Sequence, residues 1–132
     1  MNPIAQRVTG IQHIGLPTND LKKTIAFYQS LGFELTFQTT LPTDYVAFLQ
    51  LKNIVIEAFQ STGEPCAAGK SGAIDHISLD VDDIEATWDA VKAAGYTPLE
   101  SEIDGLPYFE KGVRFFNITG PNAETIEFCQ IL

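Results

Sequence analysis

Apolar and polar residues along this chain run through two registers, strand-like and helix-like, and the same order occurs twice. Ile11-Gln12-His13-Ile14-Gly15-Leu16 lies in a stretch, residues 8–16, that reads as a strand. Asn19-Asp20 then offers an N-cap, and Leu21, Ile25, Tyr28 and Leu31 recur at helical spacing until Gly32 supplies a left-handed stop. Residues 33–39, 45–51 and 54–60 alternate as three further strands. After a Gly-, Ala-, Ser- and Pro-rich stretch the order returns. Residues 74–81 read as a strand, and a helix with Ile84, Trp88 and Val91 inward follows Asp82-Asp83, where Asp82 and Glu85 have capping-box spacing. Gly95 closes that helix, residues 96–100 read as a short strand, and residues 113–118 and 125–131 form a hairpin across Gly120-Pro121-Asn122-Ala123. Residues 101–112 form a longer loop carrying Pro107, Tyr108 and Phe109, of a kind that can cover a pocket.

The two passes are related in detail. The offset of 63 that carries His13 onto His76 also carries Asp20 onto Asp83, Leu21 onto Ile84, Ile25 onto Trp88, Gly32 onto Gly95 and Phe33 onto Tyr96. Each half ends in a similar strand, Val55-Ile56-Glu57-Ala58-Phe59-Gln60 and Thr125-Ile126-Glu127-Phe128-Cys129-Gln130. Each therefore reads as βαβββ, over about 8–60 and 74–131 with a linker at about 61–73, and neither buries its sheet alone. The expected fold is α+β, with two tandem βαβββ modules making a cupped, mostly antiparallel sheet with helices on its convex side. All 132 residues are expected to form a single domain.

Charge narrows the partners. With 17 acidic against 8 basic residues the net charge is −9, which argues against nucleic acid or an anionic membrane surface and leaves a small molecule as the expected partner. No apolar stretch is long enough to span a bilayer and no signal core opens the chain, so a cytoplasmic location is expected. Cys66 and Cys129 are too few for a disulfide framework, and neither is assigned chemistry.

Side chains alternate across a strand, so if the branched aliphatics Ile14, Ile54, Ile56 and Ile77 face the helices, His13, Glu57, His76 and Glu127 share the opposite face. A lone strand histidine is usually hydrogen-bonded rather than a ligand, and a lone glutamate is usually solvated. Four such residues at duplicated places point instead to a divalent cation, because carboxylates inside apolar strands need a counter-charge. Two imidazoles and two carboxylates suit nickel, cobalt, zinc, iron or manganese better than calcium or magnesium.

These four residues, the doubled module and the run Ile14-Gly15-Leu16-Pro17-Thr18-Asn19-Asp20-Leu21…Ala26-Phe27-Tyr28…Leu31-Gly32-Phe33 resemble the vicinal oxygen chelate superfamily of glyoxalases, bleomycin-resistance proteins and extradiol dioxygenases. The resemblance covers nearly the whole chain, and the His, Glu, His, Glu order is most similar to bacterial glyoxalase I, the lactoylglutathione lyases. It implies that His13, Glu57, His76 and Glu127 are metal ligands and that the protein is an enzyme converting a 2-oxoaldehyde thiol hemithioacetal into a 2-hydroxyacyl thioester. Glu127 would be the base, with Glu57 the less favoured candidate. Glutathione-using members carry Arg four residues after the first His and Asn four after the first Glu, where this chain has Pro17 and Ser61. The resemblance thus carries the metal chemistry, and at these two positions it departs from the glutathione-using members and leaves the thiol open. Two other readings remain open: a non-catalytic drug-binding or resistance protein lined by Phe37, Phe48, Phe59, Phe109 and Phe116, or another metal-dependent activity such as an epimerase or dioxygenase. A homodimer is expected.

Overall fold

The computed structural model describes residues 3, 7, 11–65 and 76–132. Val8, Ile74, Cys66 and most of the expected linker lie outside the described residues. The chain divides into two compact units, Met1–Glu64 and Pro65–Leu132, each with its own four-stranded sheet.

In the first unit, β1 (Ile14–Pro17) leads into α1 (Leu21–Ser30), then β2 (Glu34–Thr40), β3 (Asp44–Leu51) and β4 (Ile54–Ser61). The sheet order is β1-β4-β3-β2, with β1 parallel to β4 and the other pairings antiparallel. Helix α1 starts where Asp20 accepts a hydrogen bond from the Lys23 amide and stops at Gly32, whose φ of 99° is open to glycine. A second tether comes from the sheet: the Leu21 amide donates to Gln60 Oε1 at 2.9 Å. The helix buries Leu21, Thr24, Phe27 and Tyr28. Ile25 and Leu31, expected inward, are only half-buried, because the Thr24 hydroxyl, 2.9 Å from that of Thr18, and the Phe27 ring take the inner face. Ala47, Leu49, Ile56 and Ala58 are fully buried on the helix-covered side of the sheet.

The second unit repeats the plan: β5 (His76–Asp80), α2 (Ile84–Ala93), β6 (Asp104–Leu106), β7 (Val113–Thr119) and β8 (Thr125–Ile131), in sheet order β5-β8-β7-β6. Here too β8 sends a glutamine to the helix, the Ile84 amide donating to Gln130 Oε1 at 2.9 Å. Ile84, Phe116, Ile118 and Ile126 form the buried layer beneath α2, with Trp88 edge-on to Phe116 at 5.1 Å. Both modules are βαβββ and each sheet is mixed but mostly antiparallel, as the pattern predicts.

Two local expectations need correction. The N-cap of α2 is Asp83, whose carboxylate accepts from the Ala86 amide, and not Asp82 with a capping box to Glu85. The short strand lies at Asp104–Leu106, inside the expected loop, and not at residues 96–100. Pro98 has no amide to give a ladder, and the Asn117 amide donates to the Glu100 carboxylate at 2.7 Å instead of to a strand carbonyl. Among the described residues no helix is long and apolar enough to cross a membrane.

Candidate metal centre

Each module holds one histidine beside one glutamate, on the sheet face opposite its helix. In module one, Gly15 pairs with Glu57 across β1 and β4, and His13, two residues before Gly15, takes the same side. His13 Nε2 stands 3.3 Å from Glu57 Oε2, and both side chains are about one-third exposed. The other ring nitrogen, Nδ1, is 2.9 Å from Gln12 Oε1. A carbonyl oxygen only accepts, so Nδ1 donates to it, and Nε2 is the ring nitrogen that faces the carboxylate. A proton or a metal cation can sit between Nε2 and the carboxylate at this separation. A donor at Nδ1 with Nε2 left bare is also how metal-binding histidines are usually held.

In module two, His76 opens β5 and Glu127 lies on β8, with Ser78 and Glu127 as Cα partners in the parallel pairing. His76 Nε2 is 3.9 Å from Glu127 Oε1. That oxygen is also engaged by Ser78, whose hydroxyl donates to it at 2.8 Å. The position equivalent to Ser78 in module one is Gly15, so Glu57 has no matching donor from β1.

The donor set fits a divalent ion. Two donors bound at about 2.0–2.2 Å and at tetrahedral or octahedral angles stand about 2.8–3.6 Å apart. The His13–Glu57 separation of 3.3 Å falls in that span, whereas the 3.9 Å of His76–Glu127 exceeds it while Ser78 holds the nearer oxygen. Among the described residues no group of three or more His, Cys, Asp or Glu side chains gathers, and each pair stands within its own unit.

Neighbours tune the faces. Phe48, the Cα partner of Glu57, sets its ring edge-on to His13 at 5.8 Å, and Phe37 leans on Phe48 at 6.2 Å. Phe116 is fully buried under α2 as an ordinary core residue, and Phe109 is exposed in the loop before β7. Cys129 lies two residues beyond Glu127. Burial first, and then the Glu127 and Asp80 carboxylates, push its thiol up, so it stays protonated at neutral pH. Two surface grooves of module two, of about 490 and 520 Å³, lie along Trp88 and Arg114 and along Leu106 and Leu132, and neither includes His76 or Glu127. Sequence reasoning passed over Gln12 and Ser78. Ser78 could have been found only from the register that sets it opposite Glu127, and Asp75, the counterpart of Gln12, lies outside the described residues.

A doubled βαβββ unit with a His–Glu pair at matching places defines a class of protein, the vicinal oxygen chelate proteins. Residues 10–128 match the Glyoxalase/Bleomycin resistance protein/Dioxygenase superfamily, and the chain belongs to it. It is 32% identical over 126 residues to the uncharacterized protein YwbC of Bacillus subtilis (strain 168), covering 91% of this chain and 96% of that one. Among solved structures it is similar to SMU.1112c, with a TM-score of 0.77, 24% identity and coverage of 93% and 99% of the two chains. It is also similar to a mutant of the fosfomycin resistance protein FosX of Listeria monocytogenes, complexed with Mn(II) and 1S,2S-dihydroxypropylphosphonic acid. There the TM-score is 0.68, the identity 18%, and coverage 92% and 89%.

Proposed function

We propose that this protein is a metal-dependent isomerase of the glyoxalase I type. In this reading His13, Glu57, His76 and Glu127 hold one divalent ion, nickel, cobalt, zinc, iron or manganese, and a carboxylate moves a proton within a 2-oxoaldehyde thiol hemithioacetal. The observation that carries the reading is the 3.3 Å approach of His13 Nε2 to Glu57 Oε2 on the face away from the helix, with a second His–Glu pair on the equivalent strands of module two. The manganese-bound fosfomycin resistance protein of the same fold lends support for a metal.

When bound, the ion supplies Lewis-acid stabilisation of the negative charge that develops on two adjacent substrate oxygens. The chain's own residues do the rest. His13 is held at Nδ1 by Gln12, which leaves Nε2 toward Glu57 as the ligating nitrogen. Glu127 is the proposed base. With Ser78 donating to Oε1, its Oε2 takes the proton from the carbon bearing the hydroxyl and the sulfur. That proton returns to the neighbouring carbonyl carbon, the hydroxyl proton passes to the former ketone oxygen, and the product is an isomeric 2-hydroxyacyl thioester. Glu57, which lacks a donor like Ser78, is the second candidate for the transfer. The setting proposed is a cytoplasmic homodimer acting on a small molecule, and the net charge of −9 supports neither a nucleic-acid nor a membrane partner.

The test is elemental analysis of the purified protein after supplementation with each of the five metals, followed by isomerase assays with methylglyoxal and several thiols. Glu127→Gln is expected to keep most of its metal and to lose turnover by about 10²–10⁴-fold. Full turnover by a metal-loaded Glu127→Gln protein would remove Glu127 from the role of base. Failure of every metal to bind would remove the enzyme reading and leave a sequestering module.

A further inference from the structure

The open faces that carry the two His–Glu pairs differ from the rest of the surface in one respect that bears on substrate. Among the described residues, the only Lys or Arg in any strand is Arg114. It faces α2, where its guanidinium donates to Glu85 Oε1 at 3.0 Å. The other described cations lie elsewhere: Lys22 and Lys23 on α1, Lys92 on α2 over the Trp88 ring, Lys52 in the turn before β4, and Arg7 and Lys111 outside regular elements. The open faces hold carboxylates instead: Glu57 in module one, Glu127 and its neighbour Asp80 in module two.

This charge pattern has a direct consequence. The charges of two ligating carboxylates already cancel those of a divalent ion, so an anionic group on the substrate would meet no net positive charge from the described residues of these faces and would lie beside acids. What module one offers in place of cations is aromatic surface. Phe37 is 58% exposed, Phe48 lies between it and His13, and Phe59 follows Glu57 on the same side of β4. Gly15 keeps the floor between His13 and Phe59 low, since a Cβ there would touch the Phe59 ring at 3.8 Å.

We infer that Phe37, Phe48 and Phe59 form a subsite for an uncharged aryl group of the substrate, and that the site excludes substrates bearing carboxylate or phosphonate groups away from the chelating oxygens. The inference rests on the isomerase reading for its place beside the metal, but the subsite itself belongs to the protein with or without an ion. It turns the two oxygens of the substrate toward His13 and Glu57 and its ring toward Phe37.

Three probes separate the contributions: 2-hydroxyacetophenone, which is neutral and carries an aryl ring beside two vicinal oxygens; its 4-carboxyl derivative; and hydroxyacetone, which lacks the ring. Each is titrated calorimetrically into the full chain, both metal-free and loaded with manganese. The expected order places 2-hydroxyacetophenone about tenfold tighter than either of the others. Phe37→Ala is expected to erase the advantage over hydroxyacetone while leaving hydroxyacetone binding unchanged. Phe37 is largely exposed, so this variant folds, and Phe37→Tyr should restore the preference. Equal or tighter binding of the carboxylated probe, or an undiminished aryl preference in Phe37→Ala, overturns the inference. An aryl preference in metal-free protein that never takes up an ion sinks the isomerase reading and leaves the subsite standing. Metal uptake without an aryl preference does the reverse.

Discussion

At the scale of single residues the two modules are alike but not equal, and the difference lies at one position. Ser78 gives Glu127 a hydroxyl donor at 2.8 Å, whereas Gly15 in the equivalent place gives Glu57 nothing. A donor to one carboxylate oxygen fixes the rotamer and leaves the other oxygen to work, which is why Ser78 is a positioning residue in the proposed reaction. Ser78→Ala is expected to lower kcat by about 10–100-fold, to leave KM nearly unchanged, and to be rescued in part by Ser78→Thr. Steady-state kinetics on preparations of matched metal content checks this, and an equal loss in KM would assign Ser78 to substrate binding instead. That a histidine and a glutamate of each module share one strand face was legible in the sequence, because a period of two fixes which residues lie on the same side. Ser78 was not legible. A serine in a strand is commonplace, and only the β5–β8 register sets it opposite Glu127.

At the scale of elements, each helix is pinned at its N-terminus by two side chains that reach it from different places. Asp20 and Asp83 cap from within the local sequence, and Gln60 and Gln130 reach up from the last strand of each module to the first helical amide. The long-range bond ties the helix to the strand that carries the glutamate of the candidate site, so stability and site geometry share a contact. Asp83→Ala should cost about 1 kcal/mol and Gln130→Ala about 1 kcal/mol, while Asp82→Ala should stay within about 0.5 kcal/mol, all read from urea midpoints with unchanged m-values. A loss at position 82 as large as that at 83 would restore the capping box inferred from spacing. The repeat made Asp83 the better choice, since it aligns with Asp20, but Asp82 with Glu85 matched a familiar pattern more closely. The displaced β6 has a similar origin. Residues 96–100 alternate like a strand, yet Pro98 has no amide to give and the Glu100 carboxylate takes the Asn117 amide, so that the Leu99 amide alone reaches β7, at the Asn117 carbonyl, and ladder pairing begins at Asp104. Helices and long strands survive such local competition because many residues vote for them, and a strand of three residues does not.

For the whole molecule, the question is whether two half-sites act as one. The chain forms two compact units, each contributing a single imidazole and a single carboxylate as paired donors, and two donors alone hold a borderline divalent ion weakly. If the pairs serve one ion, its affinity depends on both modules together, and the loss on disabling either is nearly total. If each pair binds by itself, disabling one halves the capacity and leaves the affinity of the other intact. The double variants His13→Ala/Glu57→Gln and His76→Ala/Glu127→Gln, titrated with manganese or nickel by calorimetry, separate these cases. The expected wild-type stoichiometry is one ion per chain, and each double variant should weaken binding by at least about 10²-fold, the two to a similar degree. The substitutions lie on half-buried or exposed positions outside the layers under α1 and α2, so circular dichroism and urea midpoints should show the fold unchanged. Half-occupancy at undiminished affinity in either variant would mean that duplication produced two independent weak sites. The mechanism, which asks for two charges of carboxylate against two of metal in one place, would then have no centre in which to occur.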